Sequence, residues 1–360
     1  MGDTVIPTVD DLTAEWFTDL LRRNARLDEA TAVAAVDVQR FGAAESMMSA
    51  LYCVGLTFDG PTEAPSSLIV KLASESDEQR FIAAVFKFYE REIRFYNENA
   101  AQVRVSIPHC LLASINTEDH SFVLVLEQIT GRRQVDQIDG LSFQDARLAL
   151  LNLADLHAPF WGKDLDAEAE TFFRFDSPLM HSVMPDHFAG DWAKVRAKVI
   201  DELPPEIIEL CDGRREWTGA LLQAMQSPDT ICHGDFRADN LLFDEGEGLL
   251  ALDFQLAAVS HGMTDVAYLI SQSVNDEVAA NRADELIDAY LGRLAEHGIV
   301  LDRDEAMAPY QAGLVFYLSI PIGLLVLEHV PERADRLGRA MLRRASAEII
   351  RTGAHLRFAR

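Results

Sequence analysis

Positive charge is what this chain has least of: 32 Lys and Arg stand against 58 Asp and Glu, a formal balance of −26 over 360 residues. Gripping a phosphate backbone takes a basic face, so nucleic acid is not expected as a partner. The surplus of carboxylates permits a cationic substrate, although solubility alone accounts for it. Cysteine is also sparse. The four present (Cys53, Cys110, Cys211, Cys232) form no C-x-x-C pair, which argues against structural zinc and for a reduced, cytoplasmic setting. The first residues, Met1-Gly-Asp-Thr-Val-Ile-Pro7, lack a basic stretch followed by an apolar core, so no signal peptide is expected. Long uncharged apolar runs are missing except from Ala312 to Leu327, which falls short of the roughly 20 residues a spanning helix needs. Pro321 interrupts that run and Glu328-His329 closes it, so it reads as one or two buried helices and not a membrane span. Repeats and low-complexity tracts are absent. What is present, 49% hydrophobic and 25% charged residues, suits a folded globular chain.

The pattern of apolar residues changes along the chain. Leu12, Trp16, Phe17, Leu20 and Leu21 recur at helical spacing. Three segments rich in β-branched and aromatic residues follow, at about Val33 to Phe41, Ser49 to Phe58 and Ser67 to Leu72, with Asp59-Gly60-Pro61 as a turn between the latter two. One helical pattern runs from about Asp77 to Ala100, and two more strand-like pieces lie near Ile107 to Ser114 and Ser121 to Glu127. Beyond Gly131 the texture is mostly helical, opening with Ser142-Phe-Gln-Asp145, a capping-box-like start to a helix that reaches about His157. The expected architecture is α+β: a strand-rich portion over residues 1–128 and a helix-rich portion over 129–360.

The densest chemistry lies in Ile231-Cys-His-Gly-Asp-Phe-Arg-Ala-Asp-Asn-Leu-Leu-Phe243, followed by Leu250-Ala-Leu-Asp-Phe-Gln255. Asp235, Asn240 and Asp253 fall on loops between apolar segments. A carboxylate to orient a hydroxyl and two hard oxygen donors for Mg²⁺ are the parts phosphoryl transfer requires, since that reaction asks for positioned charge more than for covalent catalysis. His233, Asp235, Asp253 and His261 together also offer the ligand types of a metal-dependent hydrolase.

The pair His233-Gly-Asp235-x4-Asn240 and Asp253-Phe-Gln255 resembles the motif pair of the aminoglycoside phosphotransferase and choline kinase superfamily, and Gln255 looks most like its ecdysteroid-kinase-like branch. The resemblance covers roughly Phe41 to Tyr268 and implies a bilobal, protein-kinase-like fold with a small β-rich lobe and a larger helical lobe. It implies ATP and Mg²⁺ as cofactors, Asp235 as the base facing the acceptor hydroxyl, and Asn240 and Asp253 as metal ligands. Lys71, in the apolar strand pattern Ser67-Leu-Ile-Val-Lys-Leu72, corresponds to the lysine that meets the α- and β-phosphates. Its implied partner is Glu92, in Phe88-x3-Glu92-x2-Phe95-Tyr96, with Glu90 the competitor about 200° round the helix. The phosphate-covering loop, Phe41-Gly-Ala-Ala-Glu-Ser-Met-Met-Ser49, departs from the G-x-G-x-x-G of protein kinases. Gly42, Ser46 and Ser49 are its candidate contacts, and a plain hairpin turn is the alternative. Main-chain groups about Glu127 and Ile129 stand where the family binds adenine. His233 is expected to brace the loop, His157 to be a core histidine, and Asp265 to cap or anchor the next helix and buttress the catalytic loop.

A long regulatory segment closed by Ala-Pro-Glu, the protein-kinase feature, is missing after Asp253. The resemblance implies that the aromatic stretch from Gly162 to Asp229 and the C-terminal helices shape the acceptor pocket, which favours a small-molecule hydroxyl acceptor over a protein. Aminoglycoside-like, steroid- or lipid-like and hydroxyacyl compounds all stay open. The locally basic region from Arg333 to Arg360 could take an anionic tail or simply be a solvated helix face. A non-catalytic nucleotide-binding relative acting as a scaffold is the alternative to an enzyme.

Overall fold

Alternation of apolar and polar residues builds the first half of the chain. In the computed structural model, which describes residues 6–41, 48–246, 248–326 and 331–358, the expected strands form one antiparallel sheet. Its members are β1 (Val33–Arg40), β2 (Ser49–Phe58), β3 (Ser67–Ala73), β4 (Cys110–Ile115) and β5 (Phe122–Glu127), in the order β1-β2-β3-β5-β4. Period-two burial along β3 turns Leu68, Val70 and Leu72 to one face. There they join Val54, Leu56, Val123 and Val125 in a core that helix α1 (Ala14–Arg23) covers with Phe17, Leu20 and Leu21. Thr13 caps that helix by accepting from the Trp16 amide. Burying each of those three side chains stabilises by about 1.5–3 kcal/mol. On β3, Lys71 pairs with Leu124 in register and falls on the other face.

The helical pattern over about Asp77 to Ala100 is not one helix. It divides into α2 (Asp77–Val85) and α3 (Phe88–Arg94), followed by a π-helical turn at Phe95–Asn99. Lys87 between them has φ 53, a left-handed conformation. That single residue resets the helical phase, and periodicity could not show it because apolar residues continue across the break.

The second half is built on helices. In chain order come β6 (Arg133–Gln134), α4 (Phe143–His157), α5 (Asp166–Ala169), α6 (Pro178–Val199), α7 (Pro205–Asp212) and α8 (Arg214–Ala224). Short strands β7 (Thr230–Cys232), β8 (Leu241–Phe243), β9 (Leu249–Ala251) and β10 (Ala258–Ser260) precede α9 (Met263–Ser273), α10 (Asp276–Glu296), α11 (Arg303–Phe316), α12 (Ser319–Val326), α13 (Glu332–Thr352) and α14 (Ala354–Phe358). Strand β7 pairs with β10, while β8 lies between β6 and β9. The H-G-D loop therefore hangs between two small sheets, fixed at both ends. Ser142 caps α4, though Asp145 accepts the Ser142 hydroxyl at 2.9 Å instead of reaching the backbone. The apolar run becomes α11 and α12, broken at Tyr317-Leu318. Residues Arg303–Val326 are long and apolar enough to cross a bilayer, yet 67% of their most apolar window is buried within this fold.

By Cα proximity the chain divides into two compact units. One comprises Met1–Gln102, Ile107–Gly131 and Phe254–Leu256, and the other Val103–Ser106, Arg132–Asp253 and Ala257–Arg360.

Candidate active site

In the first unit, Lys71 Nζ donates to Glu92 Oε1 at 2.7 Å, and the two side chains are 12% and 0% exposed. Glu90 remains half-buried on the same helix. The phase set after Lys87 turns Tyr89, Glu92 and Ile93 inward together, so Glu92 reaches the sheet. A buried carboxylate needs such a cation to offset the cost of leaving water. Tyr89 locks the helix by stacking on Phe122 at 4.1 Å and by receiving the Ser74 amide at 3.1 Å. Ser49 is buried at the start of β2, paired with Ala73. Gly42 and Ser46 lie outside the described residues. The Glu127 amide is engaged by the His109 carbonyl at 2.9 Å and its carboxylate by Arg26. The Gln128 amide donates to Ser67 at 3.4 Å, and Ile129 follows in coil. Phe254, the middle residue of the D-F-Q motif, stacks on Phe95 with centroids 3.6 Å apart.

In the second unit the loop from His233 to Asn240 folds its own side chains onto Asp235. Arg237 Nε donates to both Asp235 carboxylate oxygens at 3.1 Å. The Tyr268 hydroxyl reaches Oδ1 at 2.9 Å, and Asn240 Nδ2 reaches Oδ2 at 2.8 Å and the Asp235 carbonyl at 2.9 Å. The Asp235 side chain stays 16% exposed. Burial disfavours the Arg237 cation, but the facing carboxylates of Asp235 and Asp239 outweigh it and hold the guanidinium charged. Burial, and then Asp235, push the Tyr268 phenol well up, so it remains a donor.

The loop's backbone hangs from one buried carboxylate. Asp265, in the first turn of α9, accepts from the His233 amide at 2.6 Å and the Gly234 amide at 3.1 Å. His157 Nε2 lies 3.2 Å from Asp265 and its Nδ1 2.8 Å from the Tyr290 hydroxyl, which makes it a hydrogen-bonded core histidine. His233 braces the other side, its Nε2 2.9 Å from the Leu252 carbonyl, and burial lowers its pKa so that the ring is neutral. Gly234 sits at φ 78, where a side chain would be strained.

Asn240 and Asp253 are brought close by strand register. Leu241 pairs with Ala251, and the Leu252 amide donates to the Asn240 carbonyl at 2.9 Å. Because Asn240 gives its amide nitrogen to Asp235, its Oδ1 points elsewhere as an acceptor. Asp253 has φ 65, a left-handed conformation that Asp tolerates better than most residues. An amide oxygen and a carboxylate are both hard oxygen donors of the kind Mg²⁺ takes. The hydrolase set does not assemble: among the described residues, the ligand atoms that gather within 4.8 Å belong to His157, Cys232 and Asp265. Cys232 there is a thiol, pushed well up by burial and bonded to the Ser260 and His261 carbonyls. His261 is buried, with its Nδ1 receiving the Met263 amide at 3.1 Å.

A sequence profile of the ecdysteroid kinase-like family matches residues 43–302. The chain belongs to that family. No curated protein matches it. Among solved structures, this ecdysteroid kinase-like chain is similar to a proposed aminoglycoside phosphotransferase from Ralstonia eutropha, at 15% identity and TM-score 0.56, covering 94% of this chain and 98% of that one. It is also similar to choline kinase from Cryptosporidium parvum, at 13% identity and TM-score 0.57, covering 94% and 97%. A third likeness is to an amicoumacin kinase solved with AMP-PNP and Ca²⁺, at 14% identity and TM-score 0.52, covering 92% of each chain. Family and fold together place the chain among the small-molecule kinases.

Two residues of this kinase-like site carried no special weight in the sequence. Arg237 lies inside the motif, but its bond to Asp235 arises from a turn that brings two positions of one loop face to face. Tyr268 sits three residues after Asp265 on α9, so both share a helix face. That spacing was the available signal. It was masked by the burial of every residue in α9.

Proposed function

We propose that the protein transfers the γ-phosphoryl group of ATP to a hydroxyl of a small molecule. The observation that carries this reading is Asp235, held by Arg237, Tyr268 and Asn240 while still reachable from solvent. Three donors fix the carboxylate's direction, which is what orienting an acceptor O–H demands. The acceptor oxygen would form the new P–O bond as the bond to the β-phosphate oxygen breaks, and its proton would pass by way of Asp235 to solvent. Asn240 Oδ1 and Asp253 would hold Mg²⁺, which neutralises phosphate charge when bound. Lys71, kept in place by Glu92, would meet the phosphates, with Ser49, and Gly42 and Ser46 of the preceding loop, as further contacts. The main chain near Ile129 would face the base.

Family membership and the fold shared with small-molecule kinases support this reading. A scaffold that binds nucleotide without turnover is the second reading, and the retained set of Lys71, Asp235, Asn240 and Asp253 counts against it. The test is ADP release across a panel of hydroxylated metabolites and antibiotics. We expect turnover with at least one alcohol, and Asp235→Ala to reduce it by on the order of 100- to 10,000-fold with nucleotide affinity nearly unchanged. Nucleotide binding without turnover of any alcohol would favour the scaffold.

A further inference from the structure

Helix α9 fixes the H-G-D loop at successive levels. Asp265 receives the His233 and Gly234 amides, Tyr268 one turn on donates to Asp235, and the Ser273 hydroxyl at the far end accepts the Ala238 amide at 3.0 Å. Arg237, which donates to both Asp235 oxygens, is joined to the same helix through Gln137. Its Nη1 donates to Gln137 Oε1 at 3.0 Å, and Gln137 Nε2 donates to the Gln272 carbonyl at 3.2 Å. Gln272 stands in the last turn of α9, where carbonyls lack a partner within the helix. An amide offers an acceptor and a donor at one end, and these two neighbours dictate which way it points. The main chain of Gln137 is pinned separately. Its amide donates to Asp239 Oδ1 at 3.3 Å, and its carbonyl receives Nη1 of the buried Arg344, on α13, at 2.7 Å. Gln137 itself is fully buried.

On the kinase reading above, we propose that Gln137 is a positioning residue for Asp235, acting through Arg237. One guanidinium serves two carboxylates here: Nε lies on Asp235, while the Nη1 that meets Gln137 also donates to Asp239 Oδ2 at 3.0 Å. Gln137 holds Arg237 in the bridging position between them. Without the glutamine oxygen, Nη1 keeps Asp239, and turning about that contact lifts Nε from Asp235. The carboxylate then loses one of the donors that set its direction toward the acceptor hydroxyl. Misplacing a reacting group by roughly 1 Å costs on the order of a hundredfold in rate. Tyr268 and Asn240 still hold Asp235, so about tenfold in kcat is the effect expected here. A glutamine that served only to tie its own turn to α9 would act on stability and leave the kcat of the folded enzyme alone.

The experiment uses the full chain with an alcohol that the parent phosphorylates, and reads kcat from ADP release and nucleotide affinity from direct binding. Gln137→Met matches the side chain in length and leaves every main-chain bond of the turn in place. It should lower kcat by about tenfold or more with nucleotide affinity within about twofold of the parent, the split of an interaction that matters in the transition state. In an Arg237→Met background the same substitution should change kcat by less than about twofold, because the residue it acts through is already gone. An equal loss in both backgrounds, or an unchanged kcat in the single variant, overturns the proposal and leaves the kinase reading standing. Gln137→Glu decides the matter if Gln137→Met does not fold. In either protonation state it offers Arg237 an oxygen, so kcat should stay within about fivefold of the parent, and a tenfold loss with intact nucleotide binding would count against the role. A parent that binds nucleotide and turns over no alcohol counts against the kinase reading itself and removes this inference with it.

Discussion

At the scale of single residues, the site depends on how few groups do the holding. Asp265 receives both the His233 and the Gly234 amides, so removing its carboxylate takes that acceptor from two buried donors. Each such loss costs about 1–3 kcal/mol. Asp265→Ala should therefore lower thermal stability and also abolish turnover. Asp265→Asn keeps one oxygen and should retain more of both, as melting curves and ADP release on the two variants would show. Stability loss with full activity would separate Asp265 from the loop's geometry. Lys71 and Asp235 were legible in the sequence because each breaks its surroundings, a lysine in an apolar strand and an acid between apolar runs. Arg237 was not. A charged residue in a polar loop breaks no pattern, and only the turn brings it onto Asp235.

At the scale of elements, α9 carries both Asp265 and Tyr268, and α11 crosses it at Gly313. A β-carbon at Gly313 would come within 2.9 Å of Thr264 Cα and of Ala267 Cβ. Backbone cannot yield as a flexible side chain can, so Gly313→Ala must push the helices apart, at about 1–3 kcal/mol. Because α9 also holds the loop, turnover should fall further than stability alone predicts at a temperature where the variant is fully folded. Rates and melts measured on the same preparation decide this. Element type was readable wherever apolar period was unmixed, as in β2, β3 and α4. Breaks were the harder part: Lys87 interrupts an unbroken apolar pattern by backbone conformation alone, and the turn at Tyr317-Leu318 is equally silent in hydropathy. The loop bearing Gly42 and Ser46 lies outside the described residues, so its part in the site still rests on resemblance.

For the molecule as a whole, buried histidines make stability depend on mild acid. Burial, aided by His157, lowers the pKa of His261 from 6.5 to about 3, and burial lowers that of His233 as well. A ring held neutral in the fold but free to charge when unfolded contributes stability that is fully present above about pH 6.5. That contribution is lost as pH falls toward the folded value, at up to about 1.4 kcal/mol per unit per histidine. The melting temperature should accordingly hold near neutrality and decline between about pH 6.5 and 5, with His261→Asn flattening the decline. A parent melting curve that does not move over that interval would contradict the assignment. The tie from the H-G-D loop to α9 has a bearing on how such chains are recognised. Cut before Met263, a fragment would still spell both motifs in full and match any pattern written for them. Its H-G-D turn would have lost the carboxylate that receives two of its amides, so the letters that name the family do not by themselves give the turn its form.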